Sequence, residues 1–155
     1  MTALADRLAA VLDHLGLQRV FMATQMPGDV AAFSMANLDR VAGVALVIPS
    51  RINPAAFTAL AGQVMVLAGE SGIPTDTADA AAPGMPDARQ IRLAGYAATA
   101  WSDIAVERPD SLCDEIQRFL KDRTTPPAPG LTTSSGAVGG ITYRVLGAGP
   151  PLVLT

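Results

Sequence analysis

The chain of 155 residues has one cysteine, one histidine and few aromatic residues, and each shortage excludes a class of function. A single cysteine forms neither an internal disulfide bond nor a multi-cysteine metal site. Aromatic residues make up only 5% of the chain, so base-stacking platforms for nucleic acid are not expected. The net charge is −3 with no basic cluster, which argues against nucleic acid and anionic membranes as partners. Because Asp, Glu and His residues are scattered, the sequence predicts no metal site and no cofactor.

Long hydrophobic runs are also missing, although half of the residues are hydrophobic and the mean hydropathy is +0.32. The longest apolar run, residues 41–49, is too short to span a bilayer. Asp6 lies where a secretory signal peptide would carry positive charge. We therefore expect a cytoplasmic protein of about one domain, long enough to bury a core.

Apolar segments alternate with amphipathic segments along the chain, and this alternation predicts an α/β fold. Helices are predicted over residues 4–15, 28–37 and 109–121, the first of them ending before Gly16. Three near-continuous apolar segments predict the buried strands of a parallel sheet covered on both faces: residues 20–23, 41–48 and 64–68. Residues 89–93 alternate between polar and apolar, which predicts an edge strand.

The C-terminal part has a different composition. Residues 124–140 are mostly Pro, Thr, Ser, Gly and Ala, and they predict a flexible linker. We expect this linker to separate a domain of residues 1–123 from a strand pair in residues 141–155, formed by residues 141–146 and 152–154.

The turn after the first predicted strand reads Thr24-Gln25-Met26-Pro27-Gly28 and occupies the place of the G-x-S-x-G nucleophile elbow between a strand and a helix. Four later segments follow this turn: residues 38–44, 64–70, 92–98 and 107–120. Taken together and in this order, the turn and the four segments resemble the α/β-hydrolase family. The resemblance implies a short, mostly parallel sheet flanked by helices, like the C-terminal part of that fold. Residues 140–154 resemble the family's opening strands.

The resemblance also implies where a catalytic triad would stand, and all three positions are altered. The nucleophile position holds Met26, whose thioether cannot be deprotonated for nucleophilic attack. The acid position falls at Ser71 or the following glycine, and the position of the catalytic histidine holds Ala98. The only histidine, His14, lies in the first predicted helix, away from these positions.

Other candidates for chemistry lie close together in the sequence. Ser102, Asp103 and Tyr96 are the residues we would assign to an unconventional active site. Tyr96 and Trp101 either line a residual pocket or pack in the interior, and the sequence leaves both interpretations open. Cys113 shares a helix face with apolar residues, which predicts a buried thiol.

These patterns favour a catalytically degenerate hydrolase-like protein with a binding, interaction or vestigial role. The expected partners are a small apolar ligand, a second copy or a parent protein, the last two through an exposed sheet edge. One alternative is an esterase with an unconventional or subunit-completed site that acts on a small ester. Another is a decayed product that unfolds with poor cooperativity.

The order of the segments has two explanations. A fragment of a longer protein is favoured over a natural permutation, and whether residues 152–154 pair with residues 20–23 is left open.

Overall fold

The computed structural model describes residues 4–123, 133–146 and 150–155. Helices and strands alternate through most of these ranges. The helices are α1 (Leu4–His14), α2 (Pro27–Ala36), α3 (Ile73–Ala81), α4 (Ile104–Glu107) and α5 (Pro109–Lys121). The strands are β1 (Val20–Thr24), β2 (Val41–Val47), β3 (Val64–Ser71), β4 (Arg89–Ala97), β5 (Ser134–Val138), β6 (Ile141–Val145) and β7 (Leu152–Leu154). Three short 3₁₀ segments, Leu38–Arg40, Pro54–Leu60 and Ala82–Gly84, connect some of them.

Five strands form one parallel sheet in the order β4-β3-β2-β1-β7. The predicted α/β fold is therefore confirmed, with β4 at one edge. The last strand returns to lie beside the first, pairing Phe21 with Leu152 and Ala23 with Leu154. This pairing answers the question that the sequence left open, and it moves the second edge of the sheet from β1 to β7.

Helices cover both faces of the sheet, so every residue of β1 and β2 is buried. On one face, side chains of α1, α2 and α3 pack against alternate strand residues such as Met22 and Val66. On the other face, Ile116 and Phe119 of α5 pack against Phe21, and the two phenylalanine rings meet edge to face at 5.9 Å. Burying each such side chain contributes roughly 1.5–3 kcal/mol, which explains the continuous apolar runs of the strands.

A separate antiparallel hairpin joins β5 to β6 through Gly139 and Gly140. Both glycines have positive φ, 59° and 77°, as a two-residue turn between twisted strands requires. A C-terminal strand pair is thus present, but its members are β5 and β6, and β7 belongs to the sheet. Residues 134–138, which lie inside the predicted flexible linker, form the strand β5 through pairing with β6. Residues 124–132 of the predicted linker lie outside the described residues.

The predicted buried thiol is also wrong, because Cys113 is exposed. The inward stripe of α5 passes through Leu112, Ile116 and Phe119. Cys113 lies at the margin of this stripe, about 120° around the helix from the buried Phe119, and its thiol is exposed. In the ranges that the structure covers, no helix is both long enough and apolar enough to cross a membrane.

Candidate functional site

The altered triad positions all lie at the carboxyl edge of the sheet. Met26 follows β1, Ser71 ends β3 and Ala98 follows β4. In open parallel sheets, ligands bind outside the carboxyl ends of the strands. The fold therefore places the three positions where a site is expected, and their side chains decide what chemistry remains.

The turn at Met26 lacks the backbone strain of a nucleophile elbow. Its φ and ψ are −113° and 82°, in the ordinary negative-φ half of conformational space. The Met26 amide donates a hydrogen bond of 2.9 Å to Oγ1 of buried Thr24, and the Met26 side chain is 72% exposed. The strand-turn-helix arrangement is present, but it presents a thioether on an unstrained turn.

Pro27 follows Met26 and provides no backbone N–H at the start of α2. In a nucleophile elbow, the backbone N–H after the nucleophile is one donor of the oxyanion hole. Pro27 occupies that position. Sequence reasoning overlooked this residue, although the signal stands in the sequence directly after Met26.

The acid and base positions are adjacent, but neither carries an ionisable side chain. The Ala98 amide donates a hydrogen bond of 3.0 Å to the Ser71 carbonyl oxygen. Ala98 is only 1% exposed, so its side chain lies in the core. The carboxylate of neighbouring Glu70 accepts a 2.8 Å hydrogen bond from the Gly95 amide instead. The structure thus brings two triad positions together without an acid or a base.

Ser102, Asp103 and Tyr96 have local structural contacts, and Tyr96 lies in β4. Ser102 Oγ accepts a 2.9 Å hydrogen bond from the Thr99 amide. Asp103 Oδ1 accepts a 3.2 Å bond from the Ala105 amide and caps the start of α4, as such residues often do. The Tyr96 hydroxyl donates a 2.7 Å bond to Glu107 Oε2.

Tyr96 is buried, and its environment favours the neutral phenol. Burial is the main cause that raises the pKa of Tyr96 above its ordinary value of 10.0. The hydrogen bond to Glu107 raises this pKa further, while a hydrogen bond with Ser102 acts in the opposite direction. Tyr96 therefore packs in the interior, whereas Trp101 is 92% exposed and does not.

A cavity of about 340 Å³ lies beside the Met26 turn. We call it the elbow cavity. Its lining combines apolar and polar side chains: Gln25, Met26, Pro27, Gly28, Asp29, Ala31, Ser50, Arg51, Asn53 and Phe57. The volume lies at the lower end of the range of small-molecule sites.

The single histidine lies away from the elbow cavity. His14 is at the end of α1, at the opposite edge of the sheet, with its ring centroid 5.9 Å from that of Tyr143. Across the described ranges, no group of three His, Cys, Asp or Glu residues is placed to hold a metal ion.

Comparison with known proteins gives a structural relationship without a sequence relationship. No protein-family model matches the sequence. No curated protein matches it either. Several solved structures share the fold, and those compared below are hydrolases or carboxylesterases.

A predicted CIB-like hydrolase from Thermoplasma acidophilum superposes with a TM-score of 0.59 and 18% identity, over 77% of this chain and 58% of that protein. A carboxylesterase from Nitrososphaera gargenis superposes with a TM-score of 0.61 and 11% identity, over 77% of this chain and 71% of that protein. For naproxen esterase from Bacillus subtilis the TM-score is 0.56 and the identity 15%, over 75% of this chain and 65% of that protein. The chain thus has part of an α/β-hydrolase fold and spans between 58% and 71% of these three structures.

Proposed function

We propose that this chain is a catalytically inactive α/β-hydrolase-fold protein that binds a small, largely apolar ligand in the elbow cavity. The observation that carries the proposal is the pair Met26-Pro27. One residue removes the nucleophile and the other removes an oxyanion donor.

The remaining triad positions support the same conclusion. A nucleophile, a base and an orienting acid act as one unit, so the loss of all three leaves little beyond binding. At the base position, the methyl group of Ala98 is buried and the Ala98 amide donates to the Ser71 carbonyl.

The elbow cavity supports binding because its lining offers both apolar and polar groups. Phe57, Pro27 and the exposed Met26 provide apolar surface, and methionine adapts well to ligands of irregular shape. Arg51 and Asn53 add polar groups that can orient a ligand.

Ester hydrolysis through Ser102 is the second candidate function. The observation in its favour is that Ser102 lies six positions after Tyr96, whose hydroxyl donates to Glu107 Oε2. Against it, the raised pKa of Tyr96 keeps the phenol protonated near neutral pH, and a protonated phenol does not accept a proton from serine.

Hydrolysis of p-nitrophenyl butyrate tests the two candidates directly. We expect the native chain to give no turnover above a buffer blank. Met26→Ser also stays inactive, because Ala98 supplies no base and Pro27 no N–H. Turnover by the native chain that Ser102→Ala abolishes would replace the binding proposal with the second candidate.

The same ester then serves as an unreacting ligand for calorimetric titration. Gly28 lines the elbow cavity, so Gly28→Leu fills part of it and weakens binding about tenfold. Gln117→Leu, on the exposed side of α5, is the matched control and leaves the affinity unchanged. Equal affinity of both variants, or no binding by the native chain, contradicts the proposed ligand site.

A further inference from the structure

Two side chains of opposite charge line the elbow cavity, and they come from different segments of the chain. Asp29 lies in the first turn of α2. Arg51 lies between β2 and the 3₁₀ segment Pro54–Leu60, close to Asn53, which lines the cavity as well. An anionic and a cationic group thus reach the same cavity from two parts of the fold.

Neither charge is balanced by another side chain of the described residues. The ion pairs found among them involve other residues, so Asp29 and Arg51 pair neither with each other nor with a third group. Both side chains are exposed, and aspartate and arginine carry charge at neutral pH. The cavity therefore offers a ligand two separate charges without partners.

Much of the remaining lining is apolar. Phe57 and Ala31 belong to the buried core and contribute surface to the cavity, and the exposed side chain of Met26 adds to it. The volume of about 340 Å³ fits a ligand smaller than a typical drug molecule. The lining therefore suits a small molecule that has an apolar part beside its polar groups.

The two charges select among the molecules of that size. A neutral ligand would balance neither charge, and a ligand with one charge would leave the other side chain without a partner. A zwitterion matches both, because its carboxylate accepts hydrogen bonds from a guanidinium and its ammonium donates to a carboxylate. The Asn53 amide is a further donor for the carboxylate of the ligand.

We propose that the ligand of the elbow cavity is a small zwitterion with an apolar side chain, namely a free α-amino acid of the leucine type. This inference rests on the proposed function and names the chemical class of its ligand. The carboxylate of the amino acid binds Arg51, its ammonium group binds Asp29, and its side chain packs against Phe57.

Leucine and two analogues that each lack one charge are the probes. Isocaproate is leucine without the amino group, and isoamylamine is leucine without the carboxylate. Calorimetric titration of the full chain measures the three affinities. We expect leucine to bind at least tenfold more tightly than either analogue, because each analogue loses one hydrogen-bonded charge pair. Equal affinities for the three molecules would overturn the zwitterion.

Two variants connect each charge of the ligand to one side chain. Arg51→Gln weakens leucine binding about tenfold and does not weaken binding of isoamylamine, which has no carboxylate. Asp29→Asn weakens leucine binding by a similar factor and does not weaken binding of isocaproate. Since a loss of structure would weaken all three probes, this crossed pattern separates direct contact from misfolding.

Matched controls remove the same charges on the other face of the sheet. Lys121→Gln and Asp114→Asn both lie on α5, which packs against that face, and leave the three affinities unchanged. Asp29 also lines a larger cavity of about 700 Å³ beside α1. Leucine binding that is unaffected by Asp29→Asn would assign the carboxylate to that larger cavity and overturn the zwitterion.

The uncharged ester p-nitrophenyl butyrate separates this inference from the proposed function. We expect Arg51→Gln and Asp29→Asn to bind the ester as the native chain does, because it has neither an ammonium nor a carboxylate group. Binding of the ester without binding of leucine would contradict the zwitterion alone. Absence of binding by both would contradict the ligand site itself and the zwitterion with it.

Discussion

The carboxyl edge of the sheet has a closed half and an open half. Beyond β3 and β4, backbone lies against backbone: the Ala98 amide bonds to the Ser71 carbonyl, and a Cβ atom on Gly72 would overlap the Ala98 carbonyl oxygen. Beyond β1, Met26 is 72% exposed, and among the described residues a Cβ atom on Gly28 would meet nothing within 4 Å.

This difference separates the two halves of the edge by the space that each leaves for a ligand. In the closed half, close packing takes the space where an acid and a base would have to stand. In the open half, the nucleophile position still faces a cavity. Space without reactive groups favours binding over catalysis, and variants in each half test this division.

The largest effect is expected in the closed half, at Gly72. Its φ of +107° and the overlap with Ala98 mean that Gly72→Ala adds both backbone strain and a steric clash. We expect a loss of about 3 kcal/mol or more in the free energy of unfolding, measured with urea.

Gly95→Ala is the control that separates strain from clash. Gly95 also has positive φ, +67°, but no described atom lies within 4 Å of its Cβ position. Gly95→Ala should therefore lower the free energy of unfolding by only about 1 kcal/mol. Equal losses at both glycines would mean that the closed half is not closely packed.

A smaller effect is expected at Tyr96, which joins the closed half to α4. Tyr96→Phe removes the hydrogen bond to Glu107 and should cost roughly 1–2 kcal/mol in urea unfolding. Tyr143→Phe, on the hairpin, does not touch this bond. If Tyr143→Phe costs as much as Tyr96→Phe, the Glu107 contact does not stabilise the loop.

Alkaline pH gives a second measurement on the same residue. Because the folded pKa of Tyr96 is raised, its contribution to stability is fully present below the unfolded value and is lost as pH rises through the folded value. The native chain should therefore lose stability above about pH 10 more steeply than Tyr96→Phe does. Parallel curves for the two proteins would contradict the raised pKa.

The sequence predicted the strands that consist of continuous apolar residues. Continuous apolar runs identified β1, β2 and β3, and the strand-turn-helix pattern placed Met26 in the turn after β1. The strand β5 escaped prediction because Ser, Gly and Ala have little strand preference, and its order comes from pairing across the Gly139-Gly140 turn.

The position of β7 was open for a different reason. Its pairing with β1 joins residues far apart in the chain, and three residues carry too little pattern to fix a neighbour. Cys113 shows that helical spacing alone does not predict burial. It shares a face of α5 with apolar residues, yet its thiol is exposed.

The smallest effect is expected in the open half, at Gly28, and its sign is opposite to that at Gly72. Gly28 lies in the first turn of α2, where alanine restricts the unfolded chain and meets no described atom within 4 Å. Gly28→Ala should stabilise the protein by about 0.5 kcal/mol in urea unfolding, because no clash offsets the gain in helix propensity. A loss of stability instead would show that the space beside Met26 is filled in solution, and the contrast between the two halves of the sheet edge would then fail.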